Sequence, residues 1–171
     1  MTSNADLKVN RMSPETITRE AFAPYGELIE PSPYGKPYDA LDAKLEFSEG
    51  TPRLYIMRSP HHGMEFDQIT RHHKVTQCLG ARNDRDWVIA VAPPDPSSAR
   101  PDKSRLVAFR VPGETTIKLH LGTWHAGPYF KWDYVDFFNL ELADTNQTDS
   151  EHYSFSKNEG CIFRFESEEQ V

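Results

Sequence analysis

Two short segments, well separated along the chain, hold most of its chemistry: Thr70-Arg71-His72-His73-Lys74-Val75-Thr76-Gln77 and Leu119-His120-Leu121-Gly122-Thr123-Trp124-His125-Ala126. Imidazole titrates near neutral pH and is the commonest side-chain metal ligand, so the two segments brought together would build one metal or anion site. Side chains alternate faces along a strand. Gln68, Thr70 and His72 therefore share one face, and Ile69, Arg71 and His73 the other. A turn at Lys74-Val75 brings Gln77 back. Gly122, three residues before His125, lets the backbone bend and aim that imidazole inward.

Strands must position these residues. Ser13-Pro14-Glu15 has the pattern of a helix start, Ser as cap and Pro in the first turn, and predicts one short helix to about Phe22, before Pro24-Tyr25-Gly26. Short β-branched and aromatic runs predict strands at 27–30, 53–58, 66–72, 76–79, 87–92, 106–111, 116–121, 134–142 and 161–165. Residues 93–101 and 144–150 read as loops, and 1–10 as a tail entering a first strand. This is the pattern of an all-β, mainly antiparallel sandwich or barrel with one short N-terminal helix.

The 171 residues favour a single domain over 1–171, with tails at about 1–6 and 166–171. The net charge is −7. No basic run exceeds two residues, so there is no footprint for nucleic acid. No apolar stretch reaches the roughly 18–20 residues of a membrane span. The polar N-terminus lacks a leader's apolar core, which makes a cytoplasmic setting the default. Cys78 and Cys161 each sit in an expected strand and read as buried free thiols. His61, His62 and His152 read as surface histidines. Pairing of exposed sheet edges would make a homodimer.

The spacing His72-x-x-x-x-Gln77 followed by Gly122-x-x-His125 resembles the two cupin motifs. More narrowly, the chain resembles the ureidoglycolate lyase family. The resemblance runs through Ala21-Phe22-Ala23-Pro24-Tyr25-Gly26 with Ile29-Glu30, Arg58 before Pro60, Arg71-His72 with Thr76-Gln77, and Trp87 to Ala92. It continues through Leu106 to Phe109, His120 to His125, and Val135-Asp136-Phe137, in family order from about Leu7 to Leu142. Thr70 stands where that family usually has glutamate, His73 where it has proline, and Glu141-Leu142 where it often has aspartate-arginine.

The resemblance implies a cupin-like β-barrel that cleaves ureidoglycolate to glyoxylate and urea. It implies a divalent metal, nickel, zinc or manganese, on His72, Gln77 and His125; three neutral ligands hold such an ion weakly or not at all. His120, oriented by Asp136, is the implied acid/base beside His125. Arg58 is the implied clamp for the substrate carboxylate, with Arg71 and Trp124 also against the substrate. A diverged cupin metalloenzyme (an isomerase or oxygenase) and a non-catalytic barrel binding a small carboxylate are the competing expectations, because one fold hosts many reactions.

Overall fold

A computed structural model describes residues 7–166. Its strands are β1 (Lys8–Met12), β2 (Glu15–Thr16), β3 (Gly26–Ile29), β4 (Pro52–Pro60), β5 (Glu65–Phe66), β6 (Gln68–Arg71) and β7 (Cys78–Ala81). They continue with β8 (Trp87–Ala92), β9 (Val107–Val111), β10 (Thr116–Leu119), β11 (Trp124–Tyr129), β12 (Tyr134–Leu142), β13 (Glu151–Ser154) and β14 (Cys161–Phe165). Three helices of one turn are α1 (Arg19–Phe22), α2 (Thr145–Thr148) and α3 (Phe155–Glu159). Among the described residues no helix is long and apolar enough to cross a membrane.

The strands form a five-stranded sheet in the order β3-β10-β7-β12-β4 and a six-stranded sheet in the order β13-β6-β11-β8-β9-β2. A three-stranded sheet, β1-β14-β5, lies beyond the second. All pairs are antiparallel except β1 with β14 and β2 with β9. The expected all-β, cupin-like architecture is therefore present.

Strand β8 explains the layering. Its unbroken apolar run suits a strand covered on both faces. Trp87, Ile89 and Val91 pack with Leu79, Ile117, Leu119 and Phe137 between the two large sheets. Ala90 and Ala92 face the other way and pack with Trp124, Phe155 and Phe163 under the three-stranded sheet. Full burial of a side chain such as Ile89 stabilises the fold by about 1.5–3 kcal/mol, and Ile89 is 1% exposed. The first core fills one end of the space between the large sheets; the other end is a cavity.

Three expectations need correction. The N-terminal helix starts at Thr18, whose hydroxyl accepts from the Ala21 N–H at 3.1 Å. Glu15–Thr16, expected inside that helix, instead pairs with Phe109–Arg110, because the next residue, Ile17, is buried in the core. Strands β11 and β13 were not expected. Glu166, expected to begin a solvated tail, is tied back through its N–H to Met12 O at 2.8 Å and its carboxylate to the Ser13 hydroxyl. The other residues of the two expected tails, 1–6 and 167–171, lie outside the described residues. Cys78 and Cys161 are free and buried, and burial pushes the Cys78 thiol up to about 11.

Candidate active site

Strand alternation places the site. On β6 and its continuation, Gln68, Thr70 and His72 point into the space between the sheets. On β12, Val135, Phe137, Asn139 and Glu141 alternate as buried positions, followed by buried Leu142 at the strand's end, while Tyr134 and Phe138 are exposed. The first two inward residues close the core and the next two turn its edge polar. On β4 the inward series is Tyr55, Met57 and Ser59. The result is a cavity of about 400 Å³ between the five- and six-stranded sheets.

His72 and His125 meet there, with ring centroids 5.0 Å apart. Backbone hydrogen bonds join the two segments that carry them: the Gly122 N–H donates to His72 O at 2.7 Å. Gly122 has φ +76°, the left-handed region where glycine is favoured. His125 itself lies on β11 opposite Thr70 of β6 and Val91 of β8. The Asp149 carboxylate accepts from the N–H groups of His73 and Lys74, each at 2.8 Å, and so shapes the turn after His72.

Each imidazole is fixed through Nδ1. His72 Nδ1–H donates to Asp149 O at 2.5 Å, and His125 Nδ1–H to Thr123 O at 3.2 Å. In neutral imidazole one nitrogen donates and the other accepts, so both rings keep an unprotonated Nε2. Both are held neutral. Burial lowers the pKa of His72, against the backbone bond to Asp149. Burial, then the neighbouring His72, pushes His125 down to about 3.

The opposite wall is a polar cluster around Glu141, which is 1% exposed. Its carboxylate accepts from Asn146 Nδ2 and Gln77 Nε2, both at 3.0 Å, and from Asn139 Nδ2 and the Tyr55 hydroxyl, both at 3.3 Å. Gln77 Nε2 also donates to Asn139 Oδ1 at 3.1 Å. The Gln77 amide hydrogens are thus spent on the wall, which leaves its Oε1 as an acceptor.

Of the residues expected at the site, the structure brings His72, Gln77 and His125 to the cavity. The other five lie elsewhere. Asp136 does not orient His120: it is on the outward face of β12, paired with Arg58 on β4 at 2.8 and 3.0 Å. Arg58 is therefore outside too, its side chain 65% exposed. His120 is bonded to Ala23 O at 3.0 Å and Lys118 Nζ at 3.1 Å; it shares a face with Lys118, opposite inward-facing Leu119. Arg71 is buried on the far face, bonded to Glu151 at 2.8 and 3.1 Å, with its guanidinium 4.3 Å from the Trp124 ring centre. Trp124 is fully buried in the second core.

Several lining residues went unrecognised in the sequence. His62 and His152 are exposed, as expected, but both also border the cavity. Asn139, which lines the cavity, and Glu141, buried behind it, carried a usable signal: they continue the inward alternation of Val135 and Phe137, where a polar residue must find buried partners.

Among the described residues no three His, Cys, Asp or Glu side chains come together to hold a metal. Four imidazoles border the cavity, those of His62, His72, His125 and His152, and among the described residues no carboxylate lines it. His62 is bonded to Pro128 O and His152 to Thr70 and Gln68, so the rings are not gathered on one point, and this arrangement does not fit a resident divalent ion.

The family model of ureidoglycolate lyase matches residues 9–160. Ureidoglycolate lyases from Burkholderia mallei strains NCTC 10229 and NCTC 10247 are each 29% identical over 126 residues, covering 67% of this chain and 72% of the relative. The matched span runs from β1 to the end of α3 and so contains every segment that lines the cavity. By that match the chain belongs to the ureidoglycolate lyase family and is a lyase.

Proposed function

We propose that this chain cleaves ureidoglycolate to glyoxylate and urea in the cavity between its two large sheets. The observation that carries the reading is the His72–His125 pair, two neutral rings each bonded through Nδ1 and lining one cavity side by side, in a chain of this family.

The reaction breaks the C–N bond of a carbon that bears both a hydroxyl and a ureido nitrogen. A base must take the hydroxyl proton as the C=O forms, and the departing nitrogen must gain a proton. His72 Nε2 is the base. The Asp149 carbonyl on its Nδ1 stabilises the imidazolium that forms, and offsets part of the burial that disfavours it. The same imidazolium then returns the proton to the urea nitrogen, so no second acid is consumed. His125, held neutral, accepts a hydrogen bond from a ureido N–H and orients the leaving group. Gln77 Oε1, fixed by the Glu141 cluster, offers a second acceptor for those N–H groups. No step passes through a metal.

The test is urea release from racemic ureidoglycolate by the purified protein, before and after exhaustive chelation. Urea should form in both cases. His72→Asn should cut kcat by about 100-fold or more, the range for loss of a positioned base, and His125→Ala should cut activity with little loss of fold. Wild-type protein that releases no urea above background overturns the reading; activity that vanishes with chelation overturns its metal-free form.

A further inference from the structure

The substrate is an anion, yet neither Arg nor Lys lines the cavity among the described residues. The donors that do line it are mostly spent. The Nδ1–H groups of His72 and His125 go to backbone carbonyls. His62 Nε2–H goes to Pro128 O at 3.0 Å. The Tyr55 hydroxyl and the amides of the opposite wall go to Glu141. Bare lone pairs on two imidazoles and an amide oxygen would repel a carboxylate.

His152 on β13 is built the other way round. Its Nδ1 lies 2.8 Å from Thr70 Oγ1 and 3.1 Å from Gln68 Nε2. An amide nitrogen can only donate, so Nδ1 accepts and the proton sits on Nε2. β13 pairs with β6 with His152 opposite Thr70, which fixes the ring at the cavity wall. His72 and His125 line the same cavity. What remains among the lining side-chain donors is the hydroxyls of Ser59 and Tyr129, spare amide hydrogens and this Nε2–H, and of these the Nε2–H is the one ring donor, held in place by two bonds to the other side of its ring.

We propose that His152 anchors the substrate's carboxylate through Nε2–H, and that Thr70 and Gln68 are positioning residues that hold it in that tautomer. The assignment rests on the cavity being the place where ureidoglycolate is cleaved. It makes the site an electrostatic gradient, with a donor imidazole for the acid end and acceptor imidazoles for the hydroxyl and ureido end.

The test uses three probes on the full chain. Glyoxylate carries the carboxylate alone and is followed by calorimetry. N-(hydroxymethyl)urea carries the hydroxyl and ureido groups without the carboxylate and is followed by urea release. Ring nitrogen NMR reads the tautomer directly. His152 should show a protonated Nε2 in the free protein. His152→Ala, at an exposed position, should weaken glyoxylate binding at least tenfold and raise KM for ureidoglycolate, while leaving turnover of N-(hydroxymethyl)urea within twofold. Thr70→Val should show a smaller loss, restored by Thr70→Ser. A protonated Nδ1 on His152, no glyoxylate binding by wild type, or equal losses on both probes overturns the proposal. Wild type that binds glyoxylate through His152 but releases no urea from ureidoglycolate overturns only the lyase reading.

Discussion

Replacing Glu141 by glutamine changes one atom in a buried side chain that takes four hydrogen bonds behind the cavity wall. Oε1 takes the Tyr55 hydroxyl and Asn146 Nδ2; Oε2 takes Gln77 Nε2 and Asn139 Nδ2. Whichever oxygen becomes NH₂, two of those donors then face a donor. A hydrogen bond to a charged group is worth about 1.5–3 kcal/mol, so two lost bonds amount to about 3–6 kcal/mol. Relief from burying a charge offsets part of this, and the expected net loss is about 2–4 kcal/mol. For a chain of this size each kcal/mol lowers Tm by about 2–4 °C, which puts the melting point of Glu141→Gln about 10 °C below wild type. The functional effect is separate. If the Oε2 side is lost, Gln77 is no longer held with Oε1 toward the cavity, and urea release at a temperature where the variant is folded should fall about tenfold in kcat/KM. Paired thermal melts and urea-release assays measure both effects. A variant that melts within a degree of wild type and cleaves at full rate would show that the four contacts carry no charge assistance and that the wall does not orient Gln77.

Arg58→Ala and Asp136→Asn should each leave kcat/KM within twofold, because the ion pair lies on the outer face of the sheet and lines no part of the cavity; a tenfold loss would place the guanidinium at the substrate. Gly122→Ala should lower stability by about 1–2 kcal/mol from its left-handed φ, with its new Cβ 3.3 Å from the Pro94 side chain, and should reduce urea release by disturbing the Gly122–His72 bond; equilibrium unfolding and activity together check this. Acid should weaken the fold through His125. Its pKa is about 3 folded against about 6.5 unfolded, so its contribution is complete above pH 6.5 and drains away as pH falls toward 3. Between pH 6.5 and 5 the loss is about 2 kcal/mol, and His125→Gln should flatten that part of the denaturation-midpoint curve; an unchanged slope would mean that the ring is not held neutral.

What was legible in the sequence divides along a physical line between face and partner. Strands 87–92, 134–142 and 161–165 fall where their apolar and alternating patterns put them, because those patterns report burial. The same alternation put His72 and Arg71 on opposite faces, as the structure has them, although Arg71 was expected against the substrate. β11 was hidden by Gly127-Pro128, which reads as a turn but sits within the strand, where its register with β8 slips between Ala126 and Tyr129. β13 was hidden by polarity: Glu151 and His152 look like loop until β6 supplies Arg71 and Thr70 as their partners. Roles failed where they needed such partners. Asp136 and His120 were matched through an implied site, yet Asp136 lies opposite Arg58 in a register set by nine consecutive pairs between β4 and β12. Glu141 is intelligible only once Tyr55, Gln77 and Asn146 arrive from three other segments. A residue's face is decided by its immediate neighbours in the chain, whereas its chemistry is decided by whichever strand lies alongside. The sites most exposed to misreading are therefore those, like this one, whose walls come from strands on two sheets.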